Sequence, residues 1–364
     1  MNVLTEIRGN LGLITLNKPQ ALNALSLAMV RDVTAALLQW RDNDQLKAVL
    51  LRGAGREGKA PAFCAGGDIR FFHQAALAGD PTLEDFFTEE YSLNHLVHNY
   101  PKPTIALMDG ITMGGGMGLA QGAALRVVTE HSKLAMPETN IGLFPDVGGG
   151  WFLARCPGHV GEFLALTGHV LGAGDAIAHG LADVFVESQN LSALVEALAD
   201  QPIETGAQAV ATVKARAQTA PSGTLQAHSA PIDQHFALPS ALAIAHSLAN
   251  DNSPFAQQAA ADLRKRSPLM LEITLQQVRR ARSMSLADDL RMERDLVRHS
   301  FHLRPGAASE TAEGIRALVI DKDQQPRWNP ARLEDVQAAD VAAFFASPWP
   351  AHAHPLRGLG NLDR

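Results

Sequence analysis

The amino-acid sequence predicts an α/β fold with parallel strand pairing, followed by a mostly helical C-terminal region. Up to about residue 205, short apolar runs of strand length alternate with segments of helical periodicity, and this order is typical of parallel sheets. The chain then passes through a segment rich in Pro, Ser and small residues, 219–240, and continues with helical periodicity. We therefore expect an α/β core over residues 1–205 and a helical region over residues 206–364.

Each element is indicated by its own local pattern. In the front region, strands are expected at four apolar runs: LGLITL (11–16), KAVLLRG (47–53), TIALMDG (104–110) and LRVVTE (125–130). Between the first two, ALSLAMVRDVTAALLQW (24–40) has apolar residues at helical spacing. The same spacing recurs in 269–283 and 286–301. Ser309, followed by Glu310 and Glu313, is typical of a further helix start.

Composition excludes several classes of function. A net charge of −7 argues against a nucleic-acid partner, because binding polyphosphate requires a basic face. The two cysteines, Cys64 and Cys156, do not have metal-ligand spacing, so we expect no metal and no disulfide framework. No apolar stretch reaches the about 20 residues that span a bilayer. The first residues lack the basic segment of a secretory leader, and we expect a cytoplasmic protein.

A glycine-rich stretch after the second strand matches two phosphate-binding patterns in part. Gly53 to Lys59 reads GAGREGK, which contains G-x-G-x-x-G and G-x-x-x-x-G-K. Both patterns require a helix to begin at the glycines, because its N-terminal amides bind the phosphates. Pro61 disfavours that helix, and position 60 lacks the hydroxyl that would bind magnesium. We therefore expect a surface turn here.

Three further clusters have the residue types of an acyl-transfer site. They are AFCAGGDI (62–69), GITMGGGMGLAQGAA (110–124) and AMPETNIGLFPDVGGGW (135–151). In the second cluster, a strand leads through three glycines into a helix-compatible segment, which places bare amides at a helix N-terminus. An amide of the first cluster facing one of the second would form an oxyanion hole. The structural alternative is that the glycines only permit close packing and that the acids cap turns.

The order and spacing of these clusters resemble the crotonase (enoyl-CoA hydratase/isomerase) superfamily. The resemblance also includes NKPQALNAL (17–25), and it is strongest to the subgroup of 3-hydroxyisobutyryl-CoA hydrolases, where it extends through EEYSLN (89–94) and IRALVIDKDQQPRWNPA (315–331). It implies a crotonase-like ββα spiral core. Extra residues at REGKAP (56–61) and RPGAASETAEG (304–314) depart from the family pattern, and neither insertion contains the acids of the third cluster.

The resemblance implies a role for individual residues. The backbone amides of Ala65 and Gly115 would hold the thioester oxygen, and Glu138 would be the main acid/base or nucleophile, assisted by Asp146. The positions implied to contact substrate are Glu90, Gly66, Gly67 and Asp68, and those implied to cradle the adenine of CoA are Gln20, Ala21 and Leu22. For Asp68, stabilisation of its own turn is the alternative role.

One absence distinguishes among the reactions of the superfamily. Hydratases activate water between two glutamates, and the position of the first is Gly118 in this chain. Losing one of two proton-transfer groups typically costs about 10²- to 10⁴-fold in rate. The resemblance therefore implies hydrolysis of 3-hydroxyisobutyryl-CoA in valine breakdown, with no cofactor other than the CoA of the substrate. An enoyl-CoA isomerase or hydratase and a catalytically silent CoA-binding protein are the alternatives, and a homo-oligomer is left open.

Overall fold

The computed structural model describes residues 1–56 and 58–360, and its contacts divide the chain into two units. The sheet unit consists of residues 1–67, 92–135 and 170–224. The helical unit consists of residues 68–91, 136–169 and 225–364. Both units therefore use segments from the front of the chain, whereas the sequence predicts a single boundary after residue 205.

Core contacts explain this difference. In the sheet unit, Ala209 and Val213 lie beyond the expected boundary and are fully buried in the same cluster as the strand residues Leu13 and Leu50. In the helical unit, Phe163 comes from the front of the chain and packs edge-on against Phe236, with 5.3 Å between the ring centroids. Because burial of apolar side chains assigns a segment to its unit, the two units do not follow one contiguous boundary.

Nine strands are found among the described residues, all in the sheet unit. They are β1 (Val3–Arg8), β2 (Leu11–Leu16), β3 (Ala48–Gly53), β4 (Ala62–Cys64), β5 (Thr104–Met108), β6 (Ile111–Met113), β7 (Leu125–Val128), β8 (Lys133–Ala135) and β9 (Val184–Phe185). Six form one sheet in the order β1-β2-β3-β5-β7-β9, parallel except for the β1–β2 hairpin. The other three form a parallel sheet, β4-β6-β8. The four expected strands are confirmed within these sheets.

The helices follow the apolar periodicity of the sequence. In the sheet unit they are α1 (Leu27–Arg41), α4 (Gly115–Gln121), α7 (Ala173–Ala178), α8 (Leu191–Asp200) and α9 (Gly206–Lys214). In the helical unit they are α2 (Ile69–Ala78), α5 (Gly149–Leu153), α6 (Val160–Thr167), α10 (Ser229–Phe236), α11 (Ala241–Ala249), α12 (Pro254–Leu263), α13 (Pro268–Ala281), α14 (Leu286–His302), α15 (Glu310–Ile315) and α16 (Ala338–Phe344). Helix α3 (Thr82–His98) contains the boundary between residues 91 and 92.

Most of the individual expectations hold. Helices α1, α13 and α14 are confirmed, and Ser309 caps α15 by accepting a hydrogen bond from the Ala312 amide. The expected connection over 219–240 is wrong in part, because Ile232 and Phe236 lie one turn apart and are buried in α10. None of the helices in residues 1–56 and 58–360 is long and apolar enough to cross a membrane.

The described residues of the glycine-rich stretch GAGREGK contain a turn and no helix, as expected. Strand β3 ends at Gly53, β4 begins at Ala62, and residues 54–56 and 58–61 contain no helix. Gly58 has a φ of +64°, and the amide of Lys59 donates a hydrogen bond to the Arg56 carbonyl at 3.1 Å. Glu57, in the middle of this stretch, lies outside the described residues. Because no helix begins among the described residues of this stretch, neither phosphate-binding pattern has the geometry it requires there.

Candidate active site

Two neighbouring strands bring together the segments that were expected to form the oxyanion hole. Strands β4 and β6 pair in parallel, with Cys64 opposite Thr112. The two segments that follow these strands therefore leave the sheet at the same edge. Just beyond, Gly66 has a φ of +102°, and a Cβ atom there would lie 3.5 Å from the amide nitrogen of Gly115. The sequence predicts one strand that runs into the glycines, whereas β5 is followed by the separate strand β6 before α4 begins.

The two expected oxyanion amides differ in their hydrogen bonding. Gly115 is the first residue of α4, where intrahelical bonding leaves the N–H group unsatisfied. The amide of Ala65 donates to the Leu22 carbonyl at 3.0 Å. A thioester oxygen must therefore share or displace that bond to use Ala65. Gly116 has a packing role, since a Cβ atom there would lie 2.2 Å from the Cys64 carbonyl oxygen.

The segment expected to cradle adenine is a short 3-10 helix, Pro19–Ala21, that ends at Leu22 with a φ of +51°. The next residue, Asn23, also has a positive φ and is fully buried. Its side chain donates to the Ala54 and Ala62 carbonyls at 3.1 and 2.8 Å and accepts from the Lys18 amide at 3.0 Å. These hydrogen bonds hold the left-handed turn, so the carbonyl of Leu22 is presented to Ala65 by a rigid loop.

The remaining residues expected near the oxyanion segment have structural contacts. Gly67 forms a parallel backbone bridge with Leu25. Asp68 is the N-cap of α2 and accepts a hydrogen bond from the Phe71 amide at 3.4 Å. This contact is the structural alternative that the sequence left open for Asp68.

Three of the expected acids are buried in the helical unit. Glu138 begins a 3-10 turn over Glu138–Ile141, Asp146 follows it, and Glu90 lies on α3, with exposed fractions of 7%, 6% and 2%. The hydroxyl of Tyr91 donates to Oδ2 of Asp146 at 2.8 Å. Within residues 1–56 and 58–360, Oε2 of Glu138 and Oε1 of Glu90 have no hydrogen-bond partner. Asp146 is therefore the acid of the three whose charge is supported by a hydroxyl donor.

Burial and mutual repulsion change the acidity of these groups. Burial, with the added charge of Asp146, raises the pKa of Glu138 and of Glu90 well above the usual range. Burial also raises the pKa of Asp146, to about 6, although the Tyr91 hydrogen bond acts in the opposite direction. Asp146 is therefore largely ionised at neutral pH, whereas the raised pKa of Glu138 favours its protonated form. One protonated and one ionised carboxyl group in the same site would supply both an acid and a base.

A second buried pair of acids lies on α14 and was not found by sequence reasoning. Glu293 accepts hydrogen bonds from the amides of Gly148 and Gly150 at 2.7 and 3.0 Å. Asp289, one turn earlier, accepts from the Trp151 amide at 3.0 Å, and burial raises its pKa to about 7. The sequence does contain a signal for these buried acids, because both fall on the apolar face of α14 together with Leu290.

These contacts fix the turn that carries Asp146. Gln277 donates to the Pro145 carbonyl at 2.6 Å and to Glu293 at 3.0 Å. Val147 has a φ of +57°, a strained conformation for a β-branched residue that persists only when its surroundings enforce it. Among the described residues, no group of three or more His, Cys, Asp and Glu side chains is arranged to hold a metal ion. The arrangement is suited to proton transfer by carboxyl groups.

Known proteins of one enzyme family are similar to this chain over most of its length. A model of the enoyl-CoA hydratase/isomerase family matches residues 11–345. The mitochondrial 3-hydroxyisobutyryl-CoA hydrolase of Rattus norvegicus is 42% identical over 355 residues, which cover 95% of this chain and 89% of that protein. The corresponding protein of Homo sapiens is 41% identical, with 95% and 88% covered.

Two solved structures are also similar over nearly the whole chain. A carnitinyl-CoA dehydratase from Mycobacterium thermoresistibile has a TM-score of 0.87 and 37% identity, covering 96% of this chain and 97% of its own. An enoyl-CoA hydratase from Rhodobacter sphaeroides 2.4.1 has a TM-score of 0.86 and 38% identity, covering 96% and 98%. The arrangement of the helices after residue 205 is therefore shared with these structures, as is that of the strands.

Proposed function

The chain belongs to the enoyl-CoA hydratase/isomerase (crotonase) family, and on this basis we propose that it hydrolyses 3-hydroxyisobutyryl-CoA to 3-hydroxyisobutyrate and CoA. Relatives that are 41 to 42% identical over 95% of the chain have this activity in their names. The observation that carries the proposal is the buried pair Glu138 and Asp146 together with Gly118, which replaces the second glutamate that hydration requires.

The pair of acids supplies what thioester hydrolysis needs. Attack at the carbonyl requires an ionised carboxylate, which accepts a proton from water or attacks directly, and departure of CoA requires a proton for the thiolate. Two carboxyls that share one proton provide both groups. The amides of Ala65 and Gly115 are proposed to stabilise the oxyanion, where one donor is worth about 10²- to 10³-fold in rate. For Ala65, this role requires the amide to break or share its hydrogen bond to the Leu22 carbonyl.

A second candidate comes from the names of the similar solved structures. These are a dehydratase and a hydratase, at 37 and 38% identity. Adding water to a double bond needs a group to orient the water and a group to transfer a proton, and Gly118 can do neither. An isomerase needs only one glutamate and is compatible with Glu138. A CoA-binding protein without activity is disfavoured, because burying acids with raised pKa values is costly without a catalytic use.

The test is a direct comparison of two substrates on one preparation. We expect release of free thiol from 3-hydroxyisobutyryl-CoA to be at least about 10² faster than hydration of crotonyl-CoA, since one proton-transfer group of hydration is missing. Lys59→Ala, in the exposed turn between β3 and β4, is the matched control and should leave both rates unchanged. Comparable turnover of the two substrates would contradict the assignment, and hydration without thiol release would favour the second candidate.

Several finer properties belong to the same proposal. We propose that valine breakdown supplies the substrate, and that CoA enters as part of the substrate without a further cofactor. Activity that survives exhaustive treatment with a chelator would support the proposal that no metal cofactor is needed. The cytoplasmic location expected from the sequence stays a prediction, because the relatives are named as mitochondrial. Native mass measurement would decide whether the chain forms a homo-oligomer.

A further inference from the structure

Tyr91 is held in a fixed position beside the pair of acids. It lies on α3, its side chain is completely buried, and its ring packs edge-on against Phe87, with 6.0 Å between the centroids. Its hydroxyl donates to Oδ2 of Asp146 at 2.8 Å. Because the ring cannot rotate away without disturbing the aromatic packing, the hydroxyl is a preorganised donor to this carboxyl group.

The turn that carries Asp146 is also held by contacts that do not involve Tyr91. Its turn is held on the other side by Glu293, which accepts from the Gly148 amide, and by Gln277, which donates to the Pro145 carbonyl. These contacts keep Val147 at a strained positive φ. Removing the Tyr91 hydroxyl should therefore leave the carboxyl group in place and change only its hydrogen bonding.

The surroundings of the two acids differ in one respect that affects where the charge resides. A donated hydrogen bond favours the charged form of a carboxyl group. Asp146 receives one from Tyr91, whereas Oε2 of Glu138 has no partner among the described residues. The other titratable groups acting on the pair are the acids Glu90 on α3 and Glu293 on α14.

Charge compensation does not alter this difference. Asp289 is a further acid, and its charge raises the pKa of Glu293. The positive charge of Arg155 acts on Asp289, where it lowers the pKa. We propose that Tyr91 is a positioning residue that keeps the negative charge of the acid pair on Asp146 and leaves the shared proton on Glu138. The proposal deepens the proposed function and rests on it for its kinetic readout.

The first experiment is the pH dependence of thiol release by Tyr91→Phe. Without the hydroxyl, the carboxylate of Asp146 is less stable, so the pair takes up its second proton at higher pH. We expect the acidic limb of the kcat/KM profile to move up by about one to two pH units, from the usual strength of a hydrogen bond to a charged group. Tyr100→Phe is the matched control, because the Tyr100 hydroxyl donates to the Leu37 carbonyl and no acid, and its limb should not move. A lower rate at every pH with an unmoved limb would overturn the proposal.

The second experiment does not need activity or removal of Tyr91. The chain has two tyrosines, so 3-fluorotyrosine incorporated into Tyr100→Phe labels Tyr91 alone. We expect its ¹⁹F resonance to titrate with the acid pair, with a midpoint near 6, and the titration to disappear in Asp146→Asn. A resonance that ignores pH between about 5 and 8, or that titrates equally in Asp146→Asn, would overturn the proposal. If the ¹⁹F titration is intact but no thiol is released from 3-hydroxyisobutyryl-CoA, the proposed function is refuted. The contact between Tyr91 and the acid pair then still stands.

Discussion

The proposed pairing of Glu138 with Asp146 predicts that substitutions of the two residues are not independent. Glu138→Gln keeps the shape of the side chain but cannot transfer a proton, and we expect thiol release to fall by at least about 10². Asp146→Asn should also lower turnover. The double variant should lose much less than the sum of the two free energies, because either change alone breaks the shared-proton arrangement.

The control for these measurements is Glu196→Gln, an exposed position on α8. All variants should show the same thermal melting before their rates are compared, and the profile of kcat/KM against pH should keep its acidic limb near 6 in the control. Near-wild-type turnover of Glu138→Gln would refute its catalytic role, and fully additive losses would refute a shared proton.

At the scale of elements, a buried ion pair connects the helices that carry Tyr91 and Glu293. Arg294 on α14 is 1% exposed and donates to Glu84 on α3, which also pairs with Arg298 at 2.9 Å. Burial opposes ionisation of Glu84, but hydrogen bonding to His302 and the charge of Arg294 lower its pKa to about 2. The charged pair is therefore intact across the working pH range.

Breaking this pair should be costly. Glu84→Gln leaves the guanidinium of Arg294 buried without a counter-charge, and we expect the free energy of unfolding to fall by about 3 kcal/mol. Chemical denaturation measures the change. Asp85→Asn, the exposed neighbour on α3, should change stability by less than about 0.5 kcal/mol. A loss for Glu84→Gln no larger than that of the control would mean that the two helices are held by apolar packing alone.

For the whole molecule, the buried acids predict how stability depends on pH. Glu90, Glu138, Asp146, Asp289 and Glu293 all have raised pKa values, so the folded chain keeps protons that the unfolded chain releases. Their contribution to stability is fully present below about pH 4 and is lost as pH rises through the folded pKa values. For Asp289, the loss extends to about pH 7.

Asp289→Asn tests this prediction, because asparagine can still accept from the Trp151 amide but does not titrate. Relative to wild type, the variant should become progressively more stable between pH 4 and pH 7, as measured by denaturant unfolding at a series of pH values. Asp32→Asn, at an exposed position of α1, should show a constant difference over the same range. A constant difference for Asp289→Asn as well would mean that this carboxyl group is ionised throughout.

Local patterns were sufficient to predict much of this protein. Strands β2, β3, β5 and β7 and helices α1, α13 and α14 could be predicted from apolar periodicity, because burial of one face requires that spacing. The family could be predicted from the spacing of AFCAGGDI, GITMGGGMG and MPETNIG. The absence of an acid at Gly118, which distinguishes the proposed hydrolase from a hydratase, is also visible in the sequence.

Only the tertiary structure decided which groups meet and which acids are buried. Tyr91 and Asp146 are 55 residues apart in sequence, and Glu293 and Gly148 are 145 apart, so no local pattern relates them. The amide of Ala65 could be expected to face a substrate, but its bond to Leu22 depends on two segments that meet through folding. Acidity follows burial and neighbouring charge, and both arise only once distant segments enclose the same space. For that reason the sequence alone determines the family and the catalytic candidates, and the folded chain determines where their proton resides.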